Sequence, residues 1–253
     1  MTQLSDDELI RYSRQILLPE IGYAGQAALA DGRVLILGLG GLGSPVALYL
    51  AAAGVGQMTL VDFDEVDTSN LQRQIIHEQH SVGQKKVASA RERIDRLNPA
   101  TQVITHETRL DEEQLSDCVQ AADVVVDASD NFATRFQLNR LCHRHRTPLV
   151  SGAAIRWEGQ LTTFDFRRQA TPCYQCLYPD TSQADANCAQ NGVAAPIVGA
   201  VGSFQALEAI KVLAGLETLQ GRLLLLDGLS MQCQSLNLTS DPDCPICQPG
   251  KSD

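Results

Sequence analysis

The sequence predicts an α/β chain built on a doubly wound, mostly parallel sheet. Three observations predict it. Val34–Leu37 and Val124–Asp127 are short, continuous apolar runs of the kind that form strands covered on both faces. Helical stretches alternate with such runs through the first half of the chain. A glycine-rich turn, Gly38-x-Gly40-x-x-Gly43, joins the first of these strands to the helix after it. The 253 residues are expected to form one domain, with a nucleotide-binding half over about residues 1–150 and a second half over 151–253.

Each element has its own reason. Ser5 followed by Glu8 has the capping-box form and opens an N-terminal helix. Leu9, Ile10, Ile16 and Leu17 repeat along one face of it, and Arg11 and Arg14 share that face; a solvated surface is the plain reading of these two arginines. Val34–Leu37 is then a strand, Pro45–Ala53 an alanine- and leucine-rich helix ended by Gly54, and Met58–Val61 a second strand closed by Asp62. The glycines, with Gly41 as an extra, let the backbone turn sharply and approach a ligand that a Cβ would repel. The helix that follows aims free amides and the positive end of its dipole at the same spot, which suits phosphate. Asp62 lies about 20 residues further on, where a carboxylate can accept from ribose hydroxyls. The bland alternative is a tight turn with no ligand.

Beyond Asp62 the loop is crowded with acids, Asp64, Glu65 and Asp67, and continues as Ser69-Asn70-Leu71-Gln72-Arg73-Gln74. An arginine this close to a phosphate turn points to work on phosphate charge rather than on a nicotinamide ring. Ser81–Asn98 reads as a helix stopped by Asn98-Pro99, with Arg91, Glu92, Arg93, Asp95 and Arg96 on a solvated face. Lys86 near its start would by itself be a surface lysine. Gln102–His106 is a third strand, Asp111–Ala121 a helix, and Val124–Asp127 a fourth strand that runs through Ala128-Ser129-Asp130-Asn131 into a helix from Phe132 to about His145. Asp130 and Asn131 therefore fall just past a strand's C-terminal end, the edge where such sheets bind ligands. Capping the following helix is the structural alternative for Asp130. His143 and His145 are expected to be solvated.

The second half is expected to be mixed. Pro148–Ala154 is a strand, whereas Gly159–Phe166 alternates as an antiparallel strand does. Asp180–Ala195 is polar and alanine-rich and reads as a long mobile loop. Ile197–Leu213 is a helix whose early small residues, Gly199, Ala200 and Gly202, imply close packing. Leu223–Leu226 and Ser235–Leu238 are the final strands.

Eight cysteines bear on the chemistry. Cys173-x-x-Cys176 and Cys244-x-x-Cys247 have the knuckle spacing of a four-thiolate structural zinc site, with redox pairs or disulfides as the rival reading. Cys118, Cys142 and Cys233 lie in or beside apolar stretches and read as core thiols. Cys188 stands in the polar loop, outside any metal spacing, and is either a nucleophilic thiol or a dispensable one. The net charge of −10 argues against a nucleic-acid surface. No uninterrupted apolar run reaches membrane-spanning length, and the acidic N-terminus is unlike a signal peptide, so a cytoplasmic enzyme is expected.

Taken together, Arg11–Gln15 (RYSRQ), GLGGLG at Gly38–Gly43, NLQRQ at Asn70–Gln74, Lys86, SDN at Ser129–Asn131 and the two cysteine pairs resemble the adenylyltransferases that activate ubiquitin-like sulfur carriers, relatives of the ubiquitin-activating enzymes. The resemblance spans nearly the whole chain. It implies a Rossmann-like, E1-type adenylation fold with ATP bound by Gly38, Gly40, Gly41, Gly43, Asp62, Asp64, Ser69–Gln74, Lys86, Asp130 and Asn131. It further implies Arg73 and Lys86 on the phosphates, magnesium at Asp130, structural zinc in the cysteine pairs, and Arg14 reaching the neighbouring subunit's nucleotide in a homodimer. The implied partners are a ubiquitin-like carrier and a separate sulfur donor. The Ser151–Leu161 stretch (SGAAIRWEGQL) looks like the branch whose carrier is the molybdopterin synthase small subunit. A thiamin-thiazole carrier served by Cys188 is the near alternative, although Asn191 departs from the usual C-x-x-A-G-V pattern there. A non-catalytic carrier-binding scaffold and an NAD oxidoreductase are the remaining readings.

Overall fold

The computed structural model describes residues 3–168, 171–178 and 192–248. The helices are α1 (Asp6–Arg11), α2 (Ser13–Ile16), α3 (Gly22–Asp31), α4 (Gly43–Ala53), α5 (Lys86–Leu97), α6 (Glu112–Ala121), α7 (Phe132–His145), α8 (Tyr174–Leu177) and α9 (Ala195–Leu213). The strands are β1 (Arg33–Leu37), β2 (Gln57–Val61), β3 (Gln102–His106), β4 (Val124–Asp127), β5 (Leu149–Ile155), β6 (Glu158–Phe164), β7 (Arg222–Asp227) and β8 (Gln232–Asn237). They form one sheet in the order β3-β2-β1-β4-β5-β6-β7-β8. Pairing is parallel from β3 through β5 and antiparallel from β5 through β8. The doubly wound, mostly parallel sheet with a mixed C-terminal part is thus present.

Strand periodicity divides the core into two layers. Val34 and Ile36 on β1, with Met58, Leu60, Val124 and Val126, pack against α4, α5 and α9. Leu35 and Leu37, one position out of phase, join Val61, Val125 and Leu149 against α6 and α7. Strands covered on both faces need apolar residues at every position, which is why β4 is four buried residues in a row. The reversal of chain direction across the sheet falls between β1 and β4. In open α/β sheets the crevice for a ligand lies at such a point, outside the carboxyl ends of the strands.

Local signals set most boundaries. Ser5 and Glu8 do form a reciprocal capping box, and Gly54 ends α4 in the left-handed conformation with φ 86°. The helix expected from Ser81 starts later, at Lys86, because Gln79–Ser81 is a separate 3-10 turn and Gly83 adopts φ 86°. The close packing expected for the small residues of α9 holds at Gly202 but not at Gly199, where a side chain would meet nothing within 4 Å. A side chain at Gly202 would overlap the Leu42 carbonyl and Pro45 of the α4 entry.

α9 is long and apolar enough to cross a bilayer by length and composition. It packs against α4, β4, β5 and β6. Its Glu208 is buried and accepts from Thr163 Oγ1 and the Leu219 amide at 2.7 Å each, the placement of a core helix.

Three expectations are corrected. Cys233 is no core thiol: it lies exposed on β8, which pairs on one side only, while Cys142 is buried and Cys118 half-buried. His145 is half-buried and bonds Ser116 Oγ at 2.7 Å. His143 packs edge-on against Phe166, so neither histidine is simply solvated. The two histidine corrections reflect neighbours brought by other elements.

Candidate nucleotide site and cysteine centre

The glycine turn is built by contacts that exclude side chains. Gly38 sits at φ 93°, and a Cβ there would come within 2.7 Å of the Ala128 carbonyl at the end of β4. A Cβ on Gly43 would collide with the Gly38 carbonyl. The loops after β1 and β4 therefore touch through bare backbone. The amides of Gly40 and Gly41 donate to no acceptor among the described residues, which leaves them free at the positive end of α4.

The loop after β2 closes over this turn. Asp62 accepts from the Leu39 amide at 2.7 Å and from the Asp64 amide at 2.9 Å. The carboxylate expected to meet a ribose thus also anchors the glycine turn, and each oxygen keeps a lone pair for a further donor. Asp67 caps a 3-10 turn, Thr68–Asn70, by accepting from the Ser69 amide. From that turn Arg73 donates to the Ser69 carbonyl at 3.3 Å and to Asn70 Oδ1 at 3.1 Å. The Arg73 stem lies 3.4 Å from the point where a Gly41 side chain would project, and Gln74 Nε2 3.6 Å from the same point on Gly40. Leu71 is half-buried and Gln72 exposed.

Lys86 is the first residue of α5 and is almost wholly covered, its side chain 6% exposed. Its Nζ donates to Asp64 Oδ2 at 2.8 Å, and its amide to the Asp64 carbonyl at 3.0 Å. The lysine that alone would read as surface is a buried cation directed at the loop after β2. Asp130 is exposed on the loop after β4. The residue that caps α7 is Asn131, which accepts from the Thr134 amide at 2.9 Å, so capping does not occupy Asp130. Arg14 is exposed on α2, beside Leu17 and Leu18, which are 72% and 49% exposed. Cys188 lies outside the described residues, as do 180–191 of the polar loop.

Sequence reasoning missed His77. It is buried under the glycine turn, with Nε2 3.0 Å from the Leu39 carbonyl and Nδ1 3.0 Å from Ser89 Oγ. Burial pushes its pKa below the ordinary value; Lys86 acts in the same sense, and Asp62 opposes. Neutral His77 thus donates from Nε2 to Leu39 and accepts from Ser89. Its place three residues past Gln74 is the only signal the sequence held. A cleft of about 460 Å³ lies at the other edge of the sheet, lined by Tyr12, Gly54–Gln57 and Thr101, and holds none of the predicted site residues.

The four paired cysteines converge. Their sulfurs all lie within 4.8 Å of one another, with Cys173–Cys244 at 3.6 Å, Cys176–Cys247 at 3.3 Å and Cys173–Cys176 at 3.9 Å. Four thiolates around a tetrahedral zinc stand about 3.8 Å apart, so the donor set fits such an ion. None of the four is in a disulfide. Burial raises the Cys173 thiol to about 12. Burial also acts on Cys244, but the amides of Cys247 and Ile246 outweigh it and hold that thiol below its usual range. Crowded thiols of this kind ionise together only when a cation neutralises them. The centre ties the C-terminal segment to α8, under β6 and α7.

Fold and site define an α/β protein of the nucleotide-binding type, in which an arginine and a buried lysine lie on the loops beside a glycine turn. The chain matches the ThiF family over residues 12–246 and belongs to it. It is 46% identical over 248 residues to the Escherichia coli K12 molybdopterin-synthase adenylyltransferase, covering 98% of this chain and 99% of that protein. It is equally 46% identical, over 255 residues, to the E. coli K12 sulfur carrier protein ThiS adenylyltransferase, covering 99% of each. Among solved structures, E. coli MccB with ATP superposes with a TM-score of 0.82 at 23% identity, over 94% of this chain and 74% of that one, which shows a shared fold.

Proposed function

We propose that this chain adenylylates the C-terminal glycine carboxylate of a ubiquitin-like sulfur carrier, the small subunit of a molybdopterin synthase, using ATP. The observation that carries the reading is the glycine turn with free amides at Gly40 and Gly41 and Arg73 packed against it. The resemblance of the Ser151–Leu161 stretch favours the molybdopterin branch.

In this reading a carboxylate oxygen of the carrier attacks the α-phosphorus of ATP. The new oxygen–phosphorus bond forms as the bond to the bridging oxygen breaks, and pyrophosphate leaves with the electron pair. No base is needed, because the carboxylate is already ionised. The barrier is the approach of two anions, so what counts is positive charge held in place. Arg73 and Lys86 supply it, and Asp64 keeps Lys86 aligned before nucleotide arrives. Asp130 would hold the magnesium, which spreads phosphate charge when bound; one carboxylate suffices beside phosphate oxygens. Cys173, Cys176, Cys244 and Cys247 would hold structural zinc. Arg14, on an exposed face with Leu17 and Leu18, would complete the site of a second copy, making the enzyme a homodimer. The two halves, about 1–150 and 151–253, would act as one cytoplasmic domain, and a separate protein would donate the sulfur.

Carrier-dependent exchange of pyrophosphate into ATP tests the reading. Exchange that needs both magnesium and the molybdopterin carrier is the expected result; none with any carrier would sink it in favour of a binding scaffold. A second reading rests on the equal identity to the ThiS adenylyltransferase: the thiamin-thiazole carrier is the substrate and Cys188 a working thiol. Cys188→Ala assayed with each carrier separates them, since only the second reading predicts loss.

A further inference from the structure

One imidazole holds the glycine turn from beneath, and the proposed chemistry leaves that side chain without a task. His77 is 5% exposed. Its Nε2 lies 3.0 Å from the Leu39 carbonyl and its Nδ1 3.0 Å from Ser89 Oγ. A carbonyl only accepts, so Nε2 carries the proton and Nδ1 accepts from the Ser89 hydroxyl. Ser89 is itself buried, one helical turn beyond Lys86 on α5. The His77 amide donates to the Gln74 carbonyl at 3.1 Å, so the segment that carries Arg73 runs directly into the ring. His77 therefore joins α5, the Arg73 segment and the glycine turn.

The Leu39 carbonyl shares a peptide plane with the Gly40 amide. In a planar trans peptide the two point in opposite directions. His77 draws the carbonyl towards the buried side. The Gly40 N–H therefore faces the opposite, partly open side, where it meets no acceptor among the described residues. The preceding peptide is pinned as well, by the Leu39 amide on Asp62 Oδ2 at 2.7 Å. Among the described residues, no side chain but His77 bonds the Leu39–Gly40 plane. That plane adjoins a glycine, whose missing Cβ makes its rotation cheap. One hydrogen bond thus sets whether the amide looks out at an incoming anion or in at the core. Donation to the carbonyl also polarises the same peptide and strengthens its N–H as a donor.

We infer that His77 is a positioning residue for phosphate: it turns the Gly40 amide out into the crevice, and Ser89 fixes the imidazole tautomer that can do so. The inference rests on the nucleotide site proposed above and is indifferent to which carrier is used. In that site Arg73 and Lys86 supply charge, whereas the Gly40 amide supplies a directed donor. A donor on a phosphate oxygen that is not being transferred serves the bound state and the transition state alike. Its loss therefore weakens nucleotide binding more than it slows turnover.

Calorimetric titration of the full chain with Mg-ATP, and with adenosine as the phosphate-free probe, decides it. His77→Met removes the donor; His77→Gln keeps an N–H at similar reach on a side chain of equal length. His77→Met should weaken Mg-ATP roughly tenfold or more, the size of a hydrogen bond to a charged group, and leave adenosine unchanged. His77→Gln should recover most of that loss, although both variants lower the thermal midpoint alike. Ser89→Ala should act in the same direction as His77→Met, by less. In pyrophosphate exchange, His77→Met should raise the ATP concentration for half-maximal rate and leave the maximal rate nearly intact. Equal Mg-ATP affinity in the Met and Gln variants, or adenosine weakened as much as Mg-ATP, overturns the role of His77. A parent that binds no Mg-ATP overturns the nucleotide site and this role with it. A parent that binds Mg-ATP but supports no exchange with any carrier overturns only the proposed reaction, and the titrations still decide the role of His77.

Discussion

The two ends of the sheet are made on different plans. From β3 to β5 the strands are parallel, and β1 and β4 carry helices on both faces, with β4 buried along its whole length. From β6 to β8 they are antiparallel, and burial fades until every residue of β8 is exposed. Leu229 and Met231, at the β7–β8 turn, are 71% and 81% exposed. The first plan makes a rigid edge at which the loops after β1, β2 and β4 meet. The second lacks that double cover and instead gathers four cysteine sulfurs within 4.8 Å of one another. A region with a two-layered core can hold charges in place by packing; a region without one needs a cross-link to do the same.

The largest expected effect tests the parallel end. Arg73→Ala and Lys86→Ala should each lower pyrophosphate exchange on the order of 10²–10³-fold, as removal of one preorganised charge does. Arg73 is partly solvated, so its loss should barely move the melting temperature. Lys86→Ala strands Asp64 at a half-exposed site and should cost little stability as well. Normal activity in both variants would break the assignment of chemistry to this edge.

Next comes the stapled end. Cys247→Ser, or chelation, should release the metal and lower the thermal midpoint by roughly 10 °C, since metal binding contributes folding free energy outright. Nucleotide binding by the glycine turn should survive in part, because that turn's anchors lie in the other half. Calorimetry with and without metal, followed by ATP titration, checks both points. Complete loss of nucleotide binding would show that the two ends are not separable.

A third outcome sharpens the role of the exposed N-terminal face. Mixing inactive Arg14→Ala with inactive Arg73→Ala should restore about a quarter of parental activity, because half of randomly paired dimers are mixed and each has one complete site. No recovery on mixing would confine Arg14 to its own chain.

The smallest effect concerns His77. Its folded pKa lies below the ordinary 6.5, so the native state resists a proton that the unfolded chain accepts. The stability it contributes is therefore full above pH 6.5 and is lost as pH falls below that value towards the folded pKa. His77→Phe should flatten this acid limb, read as melting temperature against pH. A curve of unchanged slope would mean that His77 titrates alike in both states.

Much of the parallel end was legible because its signals are local. Glycines, caps and short apolar runs act on neighbours in sequence, so β1, α4, β2 and α7 fell close to where they were expected. Boundaries failed where a turn outside the pattern intervened, as Gln79–Ser81 did before α5. The side-chain environments of His143, His145 and Cys233 could not be read, because Phe166, Ser116 and the open edge at β8 come from distant parts of the chain.

By itself, the sequence determined the succession of the eight strands, the glycine turn, the cysteine spacing and the membership of the ThiF family, but not the helix α3 between the N-terminal turns and β1. Each follows from residue type and separation along one chain. Only the tertiary structure decided that Lys86 is buried against Asp64, that Asp62 and His77 anchor the glycine turn, and that Arg135 is buried with its Nη2 on the Ser129 carbonyl. Those facts depend on which loops the sheet brings to one edge, and burial and charge pairing are set by neighbours in space.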